Sequence, residues 1–266
     1  MKKTFVIVGC GFLGNLVADA YQQGLLEEYE FLGAYSKTME HTKALCERVG
    51  GRACEKIDEL LLLQPDYLVE AASVDLVKAV AIPALEQGCS VIPLSIGAFA
   101  DESFLERAKA AALRGNSKIH IPCGAVGGFD VLQTVALLAN SKNQKVEGTI
   151  EAHKSVGSLK NTPLFLDELE TSNKVEKVFD GSAKEAIEIL PTKVNVFVAT
   201  ALASLGVEGI ETKISTVPEF AGDEYFVTIK TEGYSSSFDL YSRTSEIAGW
   251  SVVALMRNLA SPMIFY

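Results

Sequence analysis

The sequence predicts an α/β protein. A parallel sheet with helices between its strands is followed by a second α/β region, whose sheet is covered by helices on one face. Three observations carry this. The chain opens on a β-branched run that breaks into a glycine turn and an apolar helix. Strand and helix signals then alternate as far as Ile121. Beyond a glycine-rich stretch at residues 122–130, alternating strands take over. Strands and helices of these lengths, in alternation, imply right-handed crossovers and a parallel sheet.

The first strand is expected over residues 4–8, TFVIV, a run suited to a buried parallel strand. It ends in Gly9-Cys10-Gly11-Phe12-Leu13-Gly14, a G-x-G-x-x-G pattern. Gly9 permits the tight turn, Gly11 lets a pyrophosphate approach the backbone, and Gly14 lets the next helix pack on the strand. The start of that helix presents free N–H groups to phosphate. The apolar stretch Leu13, Leu16, Val17, Ala20, Tyr21 supplies the helix the motif requires. Together these predict a dinucleotide-binding domain of Rossmann type.

A second strand is expected over 30–36 and a helix over 39–49. A short third strand spans 52–54 and a short helix 57–63. A fourth strand, 66–72, is followed by a helix over 75–87 that Gly88 stops. A fifth strand covers 90–94. Asp101 caps a helix that runs to Leu113 and ends at Gly115. A sixth strand covers 118–121, closed by Pro122. The turn at 122–130 reads as a hinge leading to a helix over 131–140. A strand at 149–153 precedes a polar loop, 154–163, of the kind that closes over a site. Ser182-Ala183-Lys184-Glu185 forms a capping box for a helix ending near Leu190. Pro191 suits the start of a new element, an apolar helix over 194–205 stopped by Gly206. Strands at 211–217, 224–232 and 236–241 then precede a last helix over 250–259. The expected domains are 1–121 for the dinucleotide and 122–244 for substrate and dimerisation. A C-terminal helix within 245–266 packs back on the first.

Composition narrows the function. The chain has 266 residues with 48 % apolar and 22 % charged content, ordinary for a globular protein. Net charge is −10 with no basic block, which argues against nucleic acid as a partner. No apolar run is long enough for a bilayer, and the one after Lys2-Lys3 meets glycine too soon for a signal peptide. A cytoplasmic protein with no membrane partner is expected. The cysteines are odd in number and lack C-x-x-C spacing, and the histidines lack metal-ligand spacing. Neither disulfides nor a metal are expected.

The end of the second strand bears on the cofactor. NAD-binding folds usually place an Asp or Glu there for the ribose hydroxyls. This chain has Tyr35-Ser36-Lys37-Thr38 instead. Ser36 and Thr38 suit hydrogen bonds to a 2′-phosphate and Lys37 suits its charge, so the residues favour NADP, with NAD as the alternative. The plain alternative for Lys37 is a solvated lysine. A substrate cleft between the domains is expected at the carboxyl ends of the parallel strands. Ala72 and Ser73 after the fourth strand and Ser95 after the fifth are small enough to lie against a nicotinamide-ribose. Simple tight turns explain the same residues.

In order along the chain stand Gly9 to Gly14, Val69-Glu70-Ala71-Ala72-Ser73, Ser95-Ile96-Gly97-Ala98, Pro122-Cys123-Gly124-Ala125-Val126-Gly127-Gly128-Phe129-Asp130, Gly181-Ser182-Ala183-Lys184-Glu185-Ala186 and Asn195-Val196. This series resembles the L-aspartate dehydrogenase family over essentially the whole chain. The resemblance implies reversible, NAD(P)-dependent oxidative deamination of aspartate, or reduction of iminoaspartate. It also implies a substrate domain whose sheet often mediates dimerisation, hence a homodimer. The family's cofactor-contacting alanine falls on Ala125 and its cofactor-contacting asparagine on Asn195.

The sequence departs from the family where substrate is expected. The family's Asn-x-His carries its catalytic histidine, and here those positions are Asp223 and Tyr225. No histidine follows His153. The family's Lys-Pro keeps the lysine as Lys154, with Ser155 in place of proline. The family's Asn-Pro-Lys-Thr-Ser stretch is reduced to Ser242-Arg243-Thr244-Ser245. Tyr225 and Lys154 are therefore the candidate catalytic residues. Tyr225 serves as a general acid if its pKa falls, and Lys154 either binds a carboxylate or lowers that pKa. A structural tyrosine and a solvated lysine are the plain alternative. The substrate expected is aspartate, iminoaspartate or a related small amino or imino acid. Two other functions stay open: a homoserine-dehydrogenase-like enzyme acting on a hydroxy or semialdehyde substrate, and a non-catalytic NADP(H)-binding relative.

Overall fold

The computed structural model describes residues 2–190 and 195–265. It divides into two compact units, 1–124 with 246–266, and 125–245.

The first unit runs β1 (Lys3–Val8), α1 (Phe12–Gln22), β2 (Tyr29–Tyr35), α2 (Met39–Val49), β3 (Arg52–Ala53), α3 (Ile57–Leu61), β4 (Tyr67–Glu70), α4 (Val74–Glu86), β5 (Ser90–Pro93) and α5 (Glu102–Gly115). Its sheet has the order β3-β2-β1-β4-β5 with all neighbours parallel, as the alternation predicts. Phe5 and Ile7 of β1 are fully buried in its core.

Two details differ from expectation. The residues at 118–121 form no sixth strand: a single parallel bridge joins Ile119 to Val91. The His120 amide donates to the Val91 carbonyl at 2.9 Å, and the ladder stops two residues later at Pro122, which has no N–H. Gly115 is the last residue of α5 rather than its stop, because Asn116 adopts the left-handed conformation that ends the helix. A Cβ on Gly115 would overlap the Leu85 carbonyl oxygen, so this glycine serves the close approach of α5 to α4.

The second unit runs α6 (Phe129–Ser141), β6 (Val146–Lys154), β7 (Glu176–Ser182), α7 (Ala183–Ile189), α8 (Asn195–Leu202), β8 (Glu211–Thr216), β9 (Asp223–Thr231) and β10 (Tyr234–Ser242). The sheet order is β10-β9-β6-β8-β7, mostly antiparallel, with β6 and β8 parallel. Ile150, Ala152, Val227 and Ile229 on one face pack with Leu132 of α6, Ala186 of α7 and Phe197 of α8. This is the expected helix-covered sheet.

The capping box is present: Ser182 accepts from the Glu185 amide, and Glu185 accepts from the Ser182 amide. β7 was not foreseen. A bulge between Lys177 and Phe179 breaks the alternation that would have marked it. The strand at 149–153 is longer than expected, so Lys154 is its last residue and not the start of a loop. The segment that follows folds a turn of 3-10 helix, Val156–Leu159, with Leu159 buried. α8 ends at Leu202, and the Gly206 amide then closes the turn onto the Ala201 carbonyl at 2.8 Å. Pro191 and Val194, the expected starts of new structure, lie outside the described residues.

The last helix, α9 (Glu246–Ala260), starts a turn earlier than expected and belongs to the first unit. Val252, Val253 and Met256 complete that unit's core. The Tyr29 hydroxyl donates to the Met256 carbonyl at 2.7 Å.

Candidate active site

The first unit carries a phosphate cradle. Gly9 has φ +104°, and a Cβ there would meet the Ala71 carbonyl oxygen at 2.6 Å. A Cβ on Gly14 would overlap the Gly9 carbonyl oxygen. Gly11, by contrast, has nothing within 4 Å of where its Cβ would lie. The turn is thus closed below and open above. α1 begins on Gly11 with no side-chain cap and no acidic residue in its first turn. Its leading amides and dipole are left for an anion. Phe12 beside it is exposed, whereas Leu13 packs on the core. The residues present fit the pyrophosphate of a dinucleotide.

At the end of β2, the Ser36 hydroxyl donates to the Thr38 carbonyl at 2.8 Å and lies 2.9 Å from the buried Thr42 hydroxyl. Lys37 is exposed. At the ends of β4 and β5, Ala72 is exposed, Ser73 caps α4 by accepting from the Leu76 amide, and Ser95 is buried. Sequence reasoning missed the residue that organises this corner. Glu70, 0 % exposed, accepts from the Ala72, Ser73 and Ser95 amides and from the Ser95 hydroxyl at 2.7–3.0 Å. The one available signal was a lone carboxylate closing an apolar strand.

The second unit brings Lys154 and Tyr225 together. On β6 the buried residues are Gly148, Ile150, Ala152 and Lys154, alternate positions that share one face. Antiparallel pairing sets Ala152 opposite Tyr225 and Lys154 opposite Asp223. Tyr225 is therefore the diagonal neighbour of Lys154, within reach of a long side chain. The Lys154 ammonium donates to Asp223 Oδ1 at 2.7 Å and to the Tyr225 hydroxyl at 3.1 Å. Lys154 and Tyr225 are each 5 % exposed. Phe197 of α8 packs edge-on to the Tyr225 ring at 6.4 Å.

Burial works to discharge Lys154, but the Tyr225 and Asp223 oxygens outweigh it and hold the ammonium above the usual lysine range. Burial likewise pushes the Tyr225 phenol up, and Lys154 only partly opposes this. The fall in pKa on which a role for Tyr225 as an acid was conditioned does not occur. Nor is Lys154 a solvated lysine.

His153 points to the other face. It pairs with Glu224 at 2.8 Å and Glu151 at 3.3 Å, apart from the Lys154 cluster. Asn195 is the first residue of α8, and Ala125 packs half-buried against the second unit's core.

Residues 133–259 match the family model for the C-terminal part of aspartate dehydrogenase. Residues 9–122 match the model for the NAD binding domain of homoserine dehydrogenase. An L-aspartate dehydrogenase of Methanococcus maripaludis is 32 % identical over 266 residues, covering 97 % of each chain. The chain belongs to the L-aspartate dehydrogenase family. A relative of the same name from Methanocaldococcus jannaschii is 28 % identical over 97 % of each chain. The crystal structure of aspartate dehydrogenase from Thermotoga maritima matches all of both chains with a TM-score of 0.72 at 25 % identity. A hyperthermophilic archaeal homoserine dehydrogenase, solved with NADPH, shares the fold at a TM-score of 0.59 and 14 % identity. As a member of the L-aspartate dehydrogenase family, the chain is an NAD(P)-dependent oxidoreductase, an amino-acid dehydrogenase that uses a nicotinamide cofactor. Among the described residues, no helix is long and apolar enough to cross a membrane.

Proposed function

We propose that the protein catalyses the reversible, NADP-linked interconversion of L-aspartate and iminoaspartate, or of a closely related small amino and imino acid. A bound nicotinamide would exchange hydride with the α carbon. The names of the relatives support the substrate. The observation that carries the chemistry is the buried contact of Lys154 with Tyr225 and Asp223.

An ammonium only donates hydrogen bonds. The Tyr225 oxygen therefore accepts from Lys154, which leaves its own O–H to donate to a substrate. Its raised pKa keeps the phenol protonated at neutral pH, so the proton is there to be given, while the neighbouring Lys154 ammonium partly offsets the rise that burial imposes. The cofactor, when bound, supplies or accepts the hydride. In the reductive direction the imine carbon gains the hydride and its nitrogen gains a proton from Tyr225. The ammonium of Lys154 stabilises the phenolate until solvent reprotonates it. Asp223 fixes that ammonium in place. Lys154 thus serves as a fixed cation beside the acid rather than as the anchor for a substrate carboxylate.

For the cofactor, Gly9, Gly11, Phe12, Leu13 and Gly14 take the pyrophosphate region and Ala72, Ser73 and Ser95 the nicotinamide side. Ser36 and Lys37 take the 2′-phosphate, which makes NADP the preferred form. Ala125 and Asn195 keep the cofactor role that the family resemblance gives them. The same reading makes the protein a cytoplasmic homodimer.

A phenol can also donate to a carbonyl oxygen, so a hydroxy or semialdehyde substrate is the second reading. The test is consumption of NADPH, followed by absorbance, with ammonia and a panel of 2-oxo acids. Oxaloacetate is expected to give the fastest rate. Oxidation of hydroxy acids with NADP+ and silence on the ammonia panel would favour the second reading. Tight NADPH binding without turnover on either panel would mark a non-catalytic relative.

A further inference from the structure

We propose that Glu70 is a positioning residue of the dinucleotide site, and that its buried charge tilts the site toward the oxidised cofactor. The inference rests on the nicotinamide cofactor assigned above.

Glu70 ends β4, between Val8 of β1 and Pro93 of β5 in the sheet register. Its Oε1 accepts from the Ala72 amide at 2.7 Å, the Ser73 amide at 2.8 Å and the Ser95 hydroxyl at 3.0 Å. Its Oε2 accepts from the Ser95 amide at 3.0 Å. One side chain thus ties the end of β4, the cap of α4 and the end of β5 into a single rigid corner. A buried carboxylate is costly unless its oxygens are satisfied, and here both are. Three of the four partners are amides, which can only donate, so these bonds favour the carboxylate and work against burial, which pushes the Glu70 pKa up.

The corner's place in the fold gives it a task. The strand order reverses between β1 and β4, and dinucleotides bind at the carboxyl ends of the strands across that point. The position that holds the adenosine ribose is at the end of β2. The nicotinamide half therefore extends to the other side, over β4 and β5. The oxidised nicotinamide ring is positively charged and the reduced ring is neutral. A fixed anion beneath it attracts the first and is indifferent to the second.

The experiment measures dissociation constants for NADP+ and NADPH by titration calorimetry on the full chain and its Glu70→Gln, Glu70→Asp and Ser95→Ala variants. Circular dichroism checks that each is folded. Glu70→Gln turns an acceptor into an N–H₂ that opposes the donors, and it removes the charge. It is expected to weaken both forms, with NADP+ weakened about fivefold more than NADPH. Glu70→Asp keeps the charge and should preserve the wild-type ratio while weakening both. Ser95→Ala keeps the charge and loses one tie, and should weaken both forms equally. Equal weakening of both forms in folded Glu70→Gln would overturn the charge effect and leave a structural residue. Should Glu70→Gln not fold, a changed ratio in Glu70→Asp, or unaltered constants in Ser95→Ala, would overturn the proposal. If the wild-type chain binds neither form, the cofactor assignment itself fails, a result distinct from all of these.

Discussion

The two five-stranded sheets build their functional residues in opposite ways. In the first, strands run parallel and the cradle forms where they end, out of backbone. Glycines remove side chains, and the start of α1 presents bare amides. In the second, neighbouring strands run mostly antiparallel and the candidate groups are side chains that meet across two strands, Lys154 from β6 with Asp223 and Tyr225 from β9. A backbone site depends on what is absent at a few contiguous positions. A cross-strand site depends on register, which joins residues about seventy apart in sequence. The first kind of site tolerates few substitutions within its turn. The second kind depends on side chains whose identity can change while the strands stay as they are.

That contrast can be broken by mutation, and the largest effect belongs to the backbone site. Gly14→Val forces a branched side chain onto the Gly9 carbonyl and Ile7. It should abolish measurable NADPH binding and lower stability by about 2 kcal/mol or more, read by titration and urea unfolding. Retained binding would show that the turn is not the cradle.

Next comes the cross-strand site. Tyr225→Phe should lower the reductive rate at least about tenfold while leaving the NADPH dissociation constant unchanged. The pH profile sharpens the point. A histidine acid loses its proton as pH rises through about 6.5. Burial raises the Tyr225 pKa above its usual value, so its proton is kept through neutral and mildly alkaline pH. The reductive kcat/KM should therefore stay level between about pH 7 and 9, and decline only as pH passes the raised tyrosine value. A fall centred near neutrality would assign the acid to another group.

The smallest effect is expected at the exposed edge of the cradle. Lys37→Ala should weaken NADPH binding about threefold to tenfold and leave NADH binding nearly unaltered. Equal loss for both cofactors would remove the 2′-phosphate role.

Much of the first sheet could be read from the sequence because its signals are local. The glycine turn, the β-branched run and the helix over 39–49 each lie within a dozen residues, and α2 has those bounds. Glu70 was not legible as a clamp, because three of its four partners are backbone amides and amides carry no residue identity. In the second sheet, Lys154 and Tyr225 were found through resemblance and not through pattern. The alternation stops looking apolar at His153, and a lysine usually marks an edge or a loop. Only the partner strand shows that Lys154 continues the buried face. β7 was lost for a related reason: its bulge sets Val178 and Phe179 side by side, where a strand alternates.

The docking of α9 has a consequence for the birth of the chain. Met256 receives the hydrogen bond from Tyr29 and sits in the same core as β1. A ribosome must thus have reached residue 256 before the core that holds β1 can close around α9. Domains usually mature from the N-terminus during synthesis. Here the second unit, a single uninterrupted segment, has all its residues outside the exit tunnel before the first can be completed. A nascent chain stalled just short of Glu246 would expose the apolar side of α1, with the last helix still unmade.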